Sequence, residues 1–135
     1  MKPPFDWRHF LYLADDLAGY PDKSYCAEAN ERTAISRAYY AAYNLAFAHI
    51  KAVDEGYFRT IRSNRQVKHG DVSAWFDARP KSEKALRKVG ANLVRLCSDR
   101  HAADYDLRLK DDNELPLKCV TLASKVVKIL VAQHP

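Results

Sequence analysis

Apolar residues return along this chain at three- and four-residue intervals, the spacing of a helix that buries one face. From Phe5 to about Ala18 the set is Phe5, Phe10, Leu11, Leu13, Ala14 and Leu17, and Gly19 with Pro21 supplies a stop. The second segment, about Ser24 to Val53, repeats Ala34, Ile35, Ala38, Tyr39, Ala42, Tyr43, Ala46, Phe47 and Ile50 without a Gly or Pro. Its alanines allow neighbouring helices close approach, which marks it as the central element. Between Asp54 and Lys68 the period is lost around Gly56, Asn64 and several basic residues, and a connection with one short turn is expected.

A shorter helix is predicted from His69 or Asp71, carrying Val72, Trp75 and Phe76 up to Pro80. Lys81 to about Asp106 resumes the period on Leu86, Val89, Leu93, Leu96 and Cys97. Lys110 to Glu114 reads as a loop, and a last helix from about Pro116 uses Val120, Leu122, Ala123, Val126, Val127, Ile129, Leu130 and Val131. No segment alternates with a period of two, so the prediction is all-α: an up-and-down bundle of four to five helices forming one domain over residues 1–135.

One stripe departs from its own rule. After Leu86, Val89 or Gly90, Leu93 and Leu96 or Cys97, the next positions on that face are Arg100 and Asp104. His101 and Tyr105 form a second pair, also four apart, beside them. An ion pair within the helix at the end of the bundle accounts for this pattern. A polar cleft accounts for it too, because ionisable groups on an inward face are costly unless paired or used. Such a set suits phosphate esters: Arg100 would hold a phosphate, and His101, or His69 if the short helix packs nearby, would take the proton of a ribose 2′-hydroxyl. Arg37 sits among apolar neighbours on the long helix and would reach either the surface or the same cleft. Trp75 and Phe76 read as core, and Tyr39 and Tyr43 as packing or dimer contacts.

Composition narrows the field without deciding it. With 22 Lys and Arg against 17 Asp and Glu, the chain carries a formal charge of +5, a mild bias toward polyanions such as RNA. Three separated cysteines, Cys26, Cys97 and Cys119, suggest neither a disulfide framework nor a zinc site, and no metal or cofactor is expected. No apolar run approaches the length of a membrane span, so a cytoplasmic protein is the expectation.

Two strings, Ser36-Arg37-Ala38-Tyr39-Tyr40-Ala41-Ala42-Tyr43 and Arg100-His101-Ala102-Ala103-Asp104-Tyr105-Asp106, resemble the HEPN family, the nucleotide-binding domain of higher eukaryotes and prokaryotes. The resemblance spans nearly the whole chain. It implies a four- or five-helix bundle that pairs as a homodimer and works in RNA metabolism, toxin–antitoxin systems or defence. Many members are metal-independent ribonucleases with an Arg and a later His, separated by four to six intervening residues, at the dimer interface. Here Asp104 and Tyr105 stand where that His would fall. Arg62 and His69 meet the bare spacing but from the loop before the short helix. The expected function is a HEPN-type domain acting on RNA or nucleotides, either a metal-independent endoribonuclease toxin or defence protein or a degenerate relative of one, with Arg100, His101, Asp104 and His69 as catalytic candidates and Arg37, Tyr40 and Tyr105 as nucleotide or phosphate ligands. The alternative is a non-catalytic nucleotide- or partner-binding module, set beside a nucleotidyltransferase or an antitoxin, in which Tyr105 is an acceptor hydroxyl. A third reading is a purely structural helical dimer.

Overall fold

The computed structural model describes residues 2–19, 27–63, 69–109 and 114–134. Six α-helices and no strand occur among them: α1 (Arg8–Ala18), α2 (Ala27–Val53), α3 (Glu55–Ser63), α4 (His69–Asp77), α5 (Lys84–Tyr105) and α6 (Leu115–Ala132). The all-α prediction stands. Cys26, the expected start of the second helix at Ser24 and most of the loop expected at Lys110 to Glu114 lie outside the described residues. None of the described helices is long and apolar enough to cross a membrane.

Among the described residues there is one helix more than the upper end of the four to five predicted. Asp54 is the reason. Its carboxylate accepts the Tyr57 backbone N–H at 3.1 Å and the Trp75 indole N–H at 2.9 Å, so it starts α3 and ties it to α4. Phe58 and Ile61 then bury one side of a helix whose other side is basic. A single polar residue at the helix start thus converts what reads as a connection into nine ordered residues.

α2 touches all five other helices. Ala34, Ala38, Ala41, Ala42 and Ala46 are fully buried along it, and their small side chains let the neighbours close in. Tyr39, Phe76, Ile35, Ile50, Leu96 and Val89 fill the spaces between, each apolar side chain of this size contributing roughly 1.5–3 kcal/mol of burial. The long helices alternate in direction. The start of α1 lies by the end of α2, where Asp6 and Arg8 share a cavity with His49 and Ala52, whereas the start of α2 lies by the end of α5, where Arg32 meets Ala103. Arg95 of α5 faces Leu117 and Lys118 at the start of α6, and Lys88 faces Ile129 near its end. This is the up-and-down order expected.

Two contacts position the polar end. Arg32 sends one guanidinium nitrogen to the carbonyls of Ala103 and Asp106, both at 2.8 Å, so α2 satisfies the open carbonyls that finish α5. Gly90 lets α4 press on α5: a Cβ there would stand 3.0 Å from the Ser73 carbonyl. One turn before Ser73, that packing carries His69 to the face of α5 that holds Cys97 and Arg100.

Candidate functional site

Arg100 continues the buried stripe of Leu86, Val89, Leu93 and Leu96, and the stripe runs past it to Ala103. About a tenth of its side chain is exposed. The guanidinium lies 5.5 Å from the ring centre of Tyr39 and 5.7 Å from that of Tyr40, and one terminal nitrogen donates to Asp104 at 3.3 Å. Its Nε–H is buried and has no hydrogen-bond partner among the described residues. Burial opposes the charge, but Cys97, Tyr40 and Asp104 outweigh it and hold the pKa above the ordinary arginine value, so the group stays cationic.

His69, the first residue of α4, is drawn into the same place. Its Nδ1 is hydrogen-bonded to the Tyr39 hydroxyl. Its ring lies 4.7 Å from Tyr43 and 6.4 Å from Tyr40, centre to centre. Burial, helped by the nearby Arg100 charge, lowers its pKa, which keeps the imidazole neutral at pH 7. Burial, with Cys97 beside it, pushes the Tyr39 phenol well above its usual range, so Tyr39 keeps its proton. With Nδ1 engaged by Tyr39, Nε2 is the ring nitrogen left for a ligand.

Beside these groups opens a cleft of about 390 Å³ between α4 and α5, walled by Tyr39, His69, Ser73, Cys97 and His101. The structure brings Arg100, Tyr40 and His69 around Tyr39, with Asp104 on Arg100; of the predicted site residues, His69 and His101 wall the cleft, and Arg100, Asp104 and Tyr40 stand outside its lining. Tyr105 is 69% exposed, and its ring lies 4.9 Å from that of His101, tilted against it, outside the cleft. Arg37 takes another direction, its guanidinium 4.8 Å from the ring centre of Phe10 on α1.

Two participants escaped the sequence reading. Tyr39 reads as packing because it sits on an apolar stripe, yet its hydroxyl holds His69 of α4 while its ring faces Arg100 of α5. Cys97 reads as core, yet it is half-buried and lines the cleft. The available signal was positional: Cys97 and Arg100 are three apart and so share one face of α5.

Among the described residues, no three His, Cys, Asp or Glu side chains are grouped to hold a metal ion. Compared with models of protein families, with curated proteins and with solved structures, the chain matches none.

Proposed function

We propose that this chain is a HEPN-type domain acting on RNA, a metal-independent endoribonuclease in which Arg100 binds the scissile phosphate and His69 moves the proton. The observation that carries this reading is the buried Arg100 guanidinium, with an unpartnered Nε–H, beside a neutral imidazole whose one ring nitrogen is already held by Tyr39.

The chemistry follows from the groups present. Arg100 stays charged and offers N–H donors to a phosphate oxygen in a site partly shielded from water, where such a contact is stronger than in bulk solvent. In the tautomer that donates Nδ1–H to the Tyr39 oxygen, His69 Nε2 carries the lone pair. It takes the 2′-hydroxyl proton, the 2′-oxygen attacks phosphorus, and the bond to the 5′-oxygen breaks. The leaving oxygen takes a proton from His101 or from water, and the products are a 2′,3′-cyclic phosphate and a 5′-hydroxyl. Asp104 positions Arg100 through its 3.3 Å contact. A homodimer that covers this end fits the exposed apolar rim of Val94, Tyr105 and Leu107.

One observation favours a second reading. The Tyr105 hydroxyl stands on a largely exposed ring at the end of α5, accessible to a partner nucleotidyltransferase that would modify it. In that case the same domain is a toxin or a nucleotide-binding partner and Tyr105 is the regulated residue.

The test is incubation of labelled RNA with the purified protein in EDTA, comparing wild type with Arg100→Ala and His69→Gln. Cleavage by wild type, reduced at least a hundredfold in both variants, is the expected result. Folded wild-type protein that leaves RNA intact removes the nuclease reading.

A further inference from the structure

The face of the bundle formed by α5 and α6, away from the cleft, carries a continuous groove. Two cavities of about 400 and 600 Å³ lie end to end along it and share Leu122. Leu117, Leu122 and Ile129 make an apolar floor, and Leu117 is 47% exposed. The rims are basic. Lys88, Arg95, Lys125 and Lys128 are all exposed, and none of these four has an ion-pair partner among the described residues. Glu114, at one end, is the acidic residue in the lining.

We infer that this groove is a docking surface for an acidic amphipathic helix of a partner protein. Both halves of the pattern are needed for that choice. Unpaired cations along two rims call for an anionic occupant, and a floor of leucine and isoleucine calls for one with an apolar stripe. A nucleic acid backbone would satisfy the rims and leave the floor uncovered. From Leu117 to Ile129 the floor runs about 18 Å along α6 at 1.5 Å per residue, room for about three turns of a second helix. Such an occupant presents leucine-like residues three and four apart, with Asp or Glu on both flanks. The groove shares no lining residue with the cleft between α4 and α5, so its occupation does not depend on whether the chain cleaves RNA.

The probe is a stapled 14-residue helical peptide with Leu on one stripe and Glu on both flanks, titrated against the full chain by fluorescence anisotropy. Its scrambled isomer and a single-stranded RNA of similar charge serve as comparisons. The Leu/Glu peptide binds wild type at least tenfold more tightly than the scramble, and Lys88→Glu with Lys125→Glu removes that preference. A Leu/Lys peptide regains binding to the same double variant, which shows that the variant still folds and that the rims read charge. Equal binding of peptide and scramble overturns the inference. So does an RNA affinity that falls with the double variant while peptide affinity does not, or self-association of the chain that the double variant abolishes.

Discussion

A guanidinium in the core-facing stripe of a helix loses hydration that Arg100 recovers only in part, from one oxygen of Asp104 at 3.3 Å and from the faces of two tyrosines. The remaining buried Nε–H is the donor that the proposed reading offers to a phosphate oxygen. Its charge was legible in the sequence as an interruption of an apolar period, because periodicity reports which face a residue occupies. The Tyr39 hydroxyl was not legible, because the partner it meets is 30 residues away. The two shifted histidines add a pH dependence. His69 and His49 both titrate below the ordinary imidazole value, His49 chiefly through burial and then through His134 and Arg79. Unfolded imidazoles take up protons near pH 6.5, above the folded pKa values, so the unfolded chain binds more protons in between. Stability is therefore full well above the unfolded value of about pH 6.5 and falls as the pH drops through it toward the folded values. Urea midpoints at pH 7.5, 6.5 and 5.5 should decline in that order, and His49→Gln with His69→Gln should flatten the decline.

Among the elements, α2 and α5 were readable almost to their ends, since long apolar repeats need only local information. α3 was not, because its start depends on one capping carboxylate that also binds an indole 21 residues further on. The finish of α5 is a similar case. Arg32 shares its charge between Glu28, at 3.0 Å, and carbonyls more than 70 residues away in sequence. Hydrogen bonds from a charged donor are worth about 1.5–3 kcal/mol, so Arg32→Ala should cost about 2 kcal/mol and loosen the last turn of α5. Amide hydrogen exchange should then rise at Ala103 to Asp106, more than at Leu86 to Leu93. Unchanged exchange in that turn would mean that α5 ends on its own backbone alone. Asp104 lies in this turn, so the same change should weaken its grip on Arg100.

Across the whole molecule, three elements that are distant in the chain converge on one end. α2 supplies Tyr39 and Tyr40, α4 supplies His69, and α5 supplies Arg100 and Asp104. Sequence pattern identified most of these residues and the all-α bundle that holds them. It did not show that Arg37 turns instead to Phe10, because two faces of one helix look alike until the neighbours are in place. The central claim is that Arg100 and His69 meet one phosphate together. The most direct measurement is NMR of the Arg100 side-chain Nε–H and the His69 ring nitrogens during titration with a 2′-deoxy oligonucleotide, which supplies the phosphate without the attacking hydroxyl. Both signals should move along one binding curve, with the Arg100 Nε–H shifted as it gains an acceptor. An oligonucleotide that binds while both signals stay in place would contradict the account.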